Sequence, residues 1–358
     1  MLRRLQSRRL VLRKLRMRGR GFHARIYTLL YCLALASPTL AQTPAWLLPE
    51  LHAAAKAEGG LTIFSSMNEQ EALPLWKRFE EATGIPVAFV RASDNQLTSR
   101  VLIEARAGKP SWDLLATTNV TRLPANLRRE FSPPQAAFLP DIARDKARRW
   151  YGVTANYNTP AYNTNYIKAS ELPRSVEEFI GKKQWKGHVA IDGQEFHWLR
   201  ALVLHFGDEK GRKLATDLFA ALEPAPIDGH LALARAVGSG DYWVTPANYA
   251  NLTINQMIAG APTNYWGLAP IGLFYTQIAL NPQAPHTKAG ELAANFYLSQ
   301  ETQQFLTRMG RMPARQDVTF NPPDALAKLG NEKIIPLEFA PEEERYWQKE
   351  FQSLMRPK

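Results

Sequence analysis

The sequence predicts an α/β fold in which helices cover a parallel sheet. Three observations predict it: short apolar runs alternate with helical patterns over residues 50–118, glycines end the helices, and polar side chains follow the apolar runs. Such alternation is typical of parallel sheets, because each crossover helix packs on the sheet between two strands. A chain of 358 residues is also long enough for two domains.

The first part of this pattern contains three strands and three helices. Each helix has apolar residues at helical spacing, and Gly59 and Gly84 end the first two. Ser93 precedes the third helix as its N-cap. The predicted elements are a helix over 50–58, a strand over 61–64, a helix that ends at 83, a strand over 85–90, a helix between 93 and 108, and a strand over 112–116.

Hydroxyl side chains follow each of these three strands. Ser65 and Ser66 come after the first strand, Ser93 after the second, and Thr117 and Thr118 after the third. Ligands of open α/β sheets bind beyond the carboxyl ends of the strands, so we expect these side chains to contact a ligand. The alternative is that they only cap helices and form turns.

The second half of the chain continues the α/β pattern. Residues 151–165 form a long stretch of β-favouring residues that suits a strand crossing between two lobes. The other predicted elements are strands over 188–191, 241–244 and 277–280, a loop over 245–249, an extended return path over 266–274, and helices over 196–206, 210–222, 232–237, 252–259 and 288–306.

Residues 1–41 have the three parts of a secretory signal peptide. Ten Lys or Arg residues come first, an apolar run follows over 26–36, and small residues at Thr39 and Ala41 precede the predicted cleavage site. The apolar run is too short to span a bilayer, which takes about 20 residues. We therefore predict a periplasmic protein. Translation from Met17 instead of Met1 is an alternative that would shorten the basic part of the signal peptide.

The net charge of +11 comes from this leader. Without residues 1–41 the chain has 34 basic and 33 acidic residues, so the charge gives no support for a nucleic-acid partner. The single cysteine, Cys32, also lies in the leader, and the mature chain is predicted to have no disulfide. No later stretch is long and apolar enough to predict a transmembrane helix.

Four segments resemble the extracellular solute-binding proteins of ABC importers, in the group that includes ferric-iron binders. They are residues 79–87 (F-E-E-A-T-G-I-P-V), 111–115 (S-W-D-L-L), 161–165 (A-Y-N-T-N) and 282–315, which contains F-Y-L-S-Q-E-T-Q-Q-F-L from residue 296 and ends in G-R-M-P-A-R. The resemblance spans about residues 50–320. The segments follow one another in the order that the family has them.

The resemblance implies an α/β, two-lobed periplasmic binding protein of the Venus-flytrap type 2, with two crossover hinge strands. The implied parts are lobe 1 over 42–155 plus 270–320, lobe 2 over 156–269, and a C-terminal helical segment over 321–358. The implied function is capture of a small, anionic or organic solute by a monomer that delivers it to an ABC permease in the inner membrane. Hinge closure around the ligand needs no cofactor and no catalytic residue.

Side chains of three chemical kinds are candidates for the ligand site. Hydroxyls on loops that start helices suit a carboxylate, phosphonate or phosphate, since helix N-termini attract anions. Aromatic rings could supply flat walls or pack the core, and carboxylates could bind an ammonium group or cap a helix. The predicted ligand-binding residues are Ser65, Ser66, Ser93, Thr117, Thr118, Tyr157, Asp192, Tyr249 and Trp266, with Trp243 and Glu195 as further candidates.

Direct ferric binding is an alternative that depends on Tyr249. The resemblance implies adjacent tyrosines on the second lobe, because the hard ferric ion prefers oxygen ligands. Here Tyr249 is followed by Ala250, and the loop after the first strand has no histidine. We therefore assign no metal ligand firmly, and Tyr249 is the candidate if the ligand is ferric.

Two further function classes stay open. A secreted hydrolase is disfavoured, because the chain has neither the Gly-x-Ser-x-Gly pattern nor the His-Glu-x-x-His pattern. A binding protein that serves as the input of a sensor would have the same sequence features as a transport protein. The sequence therefore predicts a binding protein and not an enzyme.

Overall fold

The computed structural model describes residues 43–118 and 120–355, and the predicted signal peptide over 1–41 lies outside the described residues. The strands are β1 (Leu61–Ser65), β2 (Val87–Arg91), β3 (Leu114–Thr117), β4 (Tyr151–Asn163), β5 (Ala190–Asp192), β6 (Ala225–Ile227), β7 (Val244–Tyr249), β8 (Thr263–Tyr265), β9 (Ile271–Leu280), β10 (Met312–Pro313) and β11 (Ile334–Pro336). The helices are α1 (Pro49–Glu58), α2 (Glu69–Thr83), α3 (Asp94–Arg106), α4 (Val176–Ile180), α5 (Phe196–Phe206), α6 (Asp208–Leu222), α7 (His230–Ser239), α8 (Ala250–Ile258), α9 (Thr287–Tyr297), α10 (Gln300–Thr307) and α11 (Pro341–Leu354). Within the described residues, none of these helices combines the length and apolar character that a membrane span requires.

The first three strands form the parallel sheet that the sequence predicts. Strand β1 lies between β2 and β3 and is parallel to both. Local signals in the sequence fix the crossover helices: Gly84 ends α2 in the left-handed conformation, and Ser93 forms a capping box with Gln96 at the start of α3. The three strands therefore end at one edge of the sheet.

Strands β4 and β9 extend this sheet through the middle of the molecule. Strand β9 pairs antiparallel with β3, and β4 pairs antiparallel with β9. The second half of β4 pairs with β7 and β8 instead, so one strand belongs to both parts of the sheet. This arrangement agrees with two lobes joined by two crossover strands.

Two large apolar clusters pack against this sheet, and β4 contributes side chains to both. The first cluster includes Phe296 of α9, whose ring contacts both Trp46 and Trp76, the latter on α2. The second cluster is built around α5 and α6 and includes Trp347 and Phe351 of α11. The C-terminal helix therefore packs on the second cluster. The predicted lobe boundaries remain a prediction.

Two local predictions need correction. The strand predicted over 241–244 and the loop over 245–249 are replaced by β7, which pairs with β4 from Asn158 to Tyr162. Pro246 lies where the register of this pairing shifts, which explains how a proline that cannot donate a hydrogen bond enters a strand. The return path and the strand over 277–280 form one strand, β9, from residue 271 onward.

Candidate functional site

A cavity of about 420 Å³ opens between the carboxyl ends of two groups of strands. Its volume falls in the range of about 300–1,000 Å³ that is typical of small-molecule sites. The first wall consists of residues that follow β1, β2 and β3, namely Ser66, Met67, Asn68, Arg91, Ser93, Asp94, Asn95 and Thr118. The second wall consists of residues around the ends of β5, β6 and β7, namely Asp192, Gln194, Phe196, His197, Asp228, Gly229, His230, Leu231, Tyr249, Asn251 and Leu252.

Asp94 organises the first wall from the first turn of α3. One of its carboxylate oxygens, Oδ1, accepts hydrogen bonds from the Thr117 hydroxyl and from the backbone N–H of Thr118 (3.1 Å). Ser93 caps the same helix, so its hydroxyl is already engaged with Gln96 at 2.9 Å. Arg91, at the end of β2, is exposed and faces the cavity. This wall therefore presents a cation and a carboxylate beside the predicted hydroxyls.

Four predicted site residues lie outside the cavity lining. The Ser65 hydroxyl is buried and accepts a hydrogen bond from the Met67 N–H at 3.1 Å, which forms the turn after β1. Thr117 is buried under Asp94. Tyr157 packs against the first cluster, and Trp266 donates to the Pro173 carbonyl within the second cluster. All four are engaged in packing or in hydrogen bonds within the fold.

Asp192 is the buried carboxylate of the second wall. Only 3 % of the residue is exposed, although it lines the cavity. Its Oδ1 accepts a hydrogen bond from the Gln194 N–H at 2.8 Å. Its Oδ2 is buried and has no hydrogen-bond partner among the described residues.

Glu195 lies behind Asp192 and caps α5. Its Oε1 accepts hydrogen bonds from Asn158 Nδ2 (2.6 Å) and from the Trp198 N–H (3.4 Å). Its Oε2 lies 3.5 Å from His230 Nδ1. Burial raises the pKa of Glu195 to about 7, against the opposing attraction of His230.

His230 and Tyr249 form an aromatic patch on the second wall. Their rings stack with centroids 3.7 Å apart, and Tyr249 also contacts the edge of Phe274 at 5.0 Å. Burial, together with the carboxylates of Glu195 and Asp192, raises the pKa of Tyr249 well above its usual value. The phenol is therefore held neutral in this environment.

His197 is the second histidine of this wall and lies in an apolar pocket. Its ring is stacked on Phe196 and Phe274 and contacts Phe339. Burial lowers its pKa to about 3, and its Nδ1 has no partner among the described residues. His197 is thus a neutral, apolar-packed ring. Trp243, the remaining aromatic candidate, stacks on His188 and Tyr166 away from the cavity.

Two arginines of the lining are held by ion pairs. Arg311 donates two hydrogen bonds to the Glu71 carboxylate, at 2.8 and 2.6 Å. Arg122 pairs with Glu344 of α11 and donates to Asn95 at 2.6 Å. The Arg122–Glu344 pair therefore links the segment after β3 to the helix that packs on the second cluster.

Sequence reasoning missed several residues of the lining. Arg91 and Asp94 had a usable signal, because they flank Ser93 at the end of a predicted strand. No sequence signal pointed to His230 or Asn251. His230 stacks on Tyr249 and Asn251 lines the cavity, and both positions depend on the pairing of β7 with β4. Among the described residues, no group of three or more His, Cys, Asp or Glu side chains is placed to hold a metal ion.

Comparison with known proteins identifies the family. Residues 124–334 match the family of bacterial extracellular solute-binding proteins, which is more than half of the chain. The chain belongs to this family. Its members bind solutes, so the chain is a binding protein rather than an enzyme, and the family resemblance in the sequence is confirmed.

Individual relatives agree on the fold. The chain is 25 % identical over 194 residues to an Fe(3+)-binding periplasmic protein of Serratia marcescens, a match that covers 52 % of this chain and 56 % of that protein. A ferric binding protein from Campylobacter jejuni is similar in structure, with a TM-score of 0.66, 21 % identity and coverage of 82 % and 98 % of the two chains. The substrate binding protein of an ABC transporter from Agrobacterium tumefaciens has a TM-score of 0.69, 16 % identity and coverage of 84 % and 97 %. The two-lobed α/β fold is thereby confirmed.

Proposed function

We propose that this protein captures a small organic solute in the 420 Å³ cavity and delivers it to an ABC permease in the inner membrane. The observation that carries the proposal is the convergence of polar side chains from both walls on one cavity. Ser66, Ser93 and Thr118 line it from the first wall, and Asp192 and Tyr249 from the second. Such a site is complete only when both walls meet the solute, which is the requirement for ligand-driven closure.

The shared strand β4 supplies the route for this motion. Because β4 contributes side chains to both apolar clusters, small changes of its backbone angles would rotate one cluster against the other. The permease would then recognise the closed form. The Agrobacterium relative, described as part of an ABC transporter, supports this partner.

Export to the periplasm completes the proposal. The basic and apolar leader over 1–41 supports secretion to the periplasm. Because Cys32 lies in that leader, thiol titration of the protein isolated from the periplasm is expected to find no thiol. A single reactive thiol there would contradict removal of the leader.

A thermal-shift screen tests solute binding directly. The purified protein is unfolded and refolded to remove bound solute, then heated with amines, amino acids, phosphate esters, phosphonates and small sugars. A ligand at 100 times its dissociation constant stabilises the native state by about 2.7 kcal/mol, which gives a measurable shift. A matched variant, Ser66→Ala, is expected to weaken the hit, whereas Ser353→Ala on the far end of α11 is not. Equal melting temperatures with every compound would contradict the proposal.

Ferric ion is the second candidate ligand. Tyr249 lines the cavity beside His230, and the Serratia relative is named as an Fe(3+)-binding protein. Iron bound by Tyr249 is expected to produce a visible phenolate-to-iron absorption band that is lost in Tyr249→Phe. Tyr242→Phe, whose ring packs on a smaller apolar cluster, is the control. A colourless protein after incubation with ferric citrate would exclude this candidate.

A further inference from the structure

The charges of the cavity do not favour an anionic solute. Once Arg311 is paired with Glu71 and Arg122 with Glu344, Arg91 is the arginine of the lining that remains among the described residues. Against it stand three carboxylates, listed from the first wall to the second: Asp94, Asp192 and Asp228. An anion in this cavity would face a surplus of negative charge.

Of these three carboxylates, Asp192 has the strongest need for a further hydrogen-bond donor. It is almost fully buried, and its Oδ2 has no hydrogen-bond partner among the described residues. Asp94, by contrast, has two donors on one oxygen, and Asp228 is exposed to water. A buried carboxylate oxygen without a donor costs several kcal/mol in desolvation, so a donor from the solute would be strongly favoured.

We propose that the solute carries an organic ammonium group that donates to Asp192 Oδ2. This inference rests on the proposed solute-binding function and names the chemical class of its ligand. An ammonium group brings three donors and a positive charge, and hydrogen bonds between charged partners are about twice as strong as neutral ones. A bare metal cation fits less well, because the described residues place no group of three metal-binding acids or histidines together. The Gln194 N–H holds Oδ1, so Oδ2 is the oxygen that remains for the solute.

The test compares small molecules that differ only in the amine. The probes are putrescine against 1,4-butanediol, phosphoethanolamine against ethyl phosphate, and β-alanine against propionate, each titrated calorimetrically into the refolded protein. At least one amine-bearing probe is expected to bind, and its amine-free counterpart is expected to bind at least tenfold more weakly. The pair that responds also shows whether Arg91 contacts an anionic group of the solute.

Two isosteric variants localise the effect. Asp192→Asn keeps the oxygen that accepts from Gln194 and removes the charge, and affinity for the amine-bearing probe is expected to fall at least tenfold. Asp241→Asn is the control, because it removes an exposed charge that lies outside the cavity lining, and it is expected to change affinity less than threefold. The comparison of probes uses the wild-type protein, so it tests the ammonium assignment even if Asp192→Asn folds poorly.

Three outcomes would overturn the inference: no amine-bearing probe binds, an amine-free counterpart binds equally well, or Asp192→Asn retains full affinity. Tight binding of an amine-free solute would overturn the ammonium assignment and leave solute binding intact. Failure of every solute in the broader screen would instead contradict the proposed function itself. The two failures are therefore distinguishable.

Discussion

Buried ionisable side chains of the second wall give the protein two opposite pH dependences. His197 has a pKa lowered to about 3, so the unfolded chain binds a proton more readily than the folded chain between about pH 6.5 and 3. Glu195 has a pKa raised to about 7, so the folded chain binds the extra proton between about pH 4.5 and 7. Replacing either residue shows how much it contributes to the pH dependence of stability.

Replacing His197 with leucine is expected to reduce the acid sensitivity of the fold. Stability that depends on the neutral ring is lost as pH falls below 6.5, because the unfolded histidine gains a proton that the buried ring cannot take. Relative to wild type, His197→Leu should gain about 2.5 kcal/mol between pH 7 and 4.5, measured by urea unfolding. His205→Leu, an exposed histidine on the same helix, should show no such gain. Parallel pH curves for wild type and His197→Leu would disprove this.

Replacing Glu195 with glutamine is expected to have the opposite pH profile. A raised carboxyl pKa means that the folded state loses stability as pH rises from 4.5 to 7. In this range the unfolded chain ionises its carboxyl group freely, whereas the buried group of the folded chain stays protonated. Glutamine keeps the oxygen that accepts from Asn158 and Trp198 and removes the charge. Relative to wild type, Glu195→Gln should gain about 3 kcal/mol between pH 4 and 8. Glu209→Gln, exposed on α6, is the control, and equal behaviour of the two variants would refute the assignment.

At the scale of elements, close packing of α5 and α6 depends on one glycine. A Cβ added at Gly211 would lie 2.6 Å from Val203 Cα and 2.7 Å from Val203 N, too close for backbone atoms. Gly211→Ala is therefore expected to lower stability by about 1–3 kcal/mol despite the higher helix propensity of alanine. The comparison is Gly193→Ala, where the nearest atom is 3.7 Å away and the change should be small. Thermal unfolding measures both, and an unchanged melting temperature for Gly211→Ala would rule out tight packing here.

The same scale shows how far local patterns predicted the elements. The helices of the first part began and ended close to the predicted positions, because Gly84 and the Ser93–Gln96 capping box are local signals. The segment 245–249 was predicted wrongly, because its strand conformation comes from pairing with a distant strand, β4. Local propensity cannot specify a partner that lies so far away in the chain.

At the scale of the whole molecule, the Arg122–Glu344 pair connects the two sides of the cleft. Glu344→Gln removes its charge and is expected to favour the open form, with a larger radius of gyration in solution scattering and about fivefold weaker solute binding. Glu343→Gln is a matched control, because Glu343 on the same helix pairs with Arg200 of α5 at 2.8 Å, within the second cluster. If both variants scatter like wild type, the pair does not control opening.

By itself, the sequence determined the α/β class, the crossover helices and the family, and the leader remains a prediction. These follow from periodicity, composition and short motifs, which act over neighbouring residues. It also placed Ser66, Ser93, Thr118, Asp192 and Tyr249 near strand ends, where the structure has them on one cavity. Their role as ligand contacts remains a proposal.

Only the tertiary structure decided which of these side chains face the cavity and which are buried behind it. Ser65 and Thr117 adjoin lining residues in the chain, yet both are buried: Ser65 accepts a hydrogen bond from the Met67 N–H, and Thr117 donates one to Asp94 of α3. The contact between Glu195 and His230 joins segments that are distant in sequence. The burial of Asp192 Oδ2, which has no hydrogen-bond partner among the described residues, depends on the same packing. Burial and charge balance depend on all neighbours in space, and for that reason a linear pattern could not supply them.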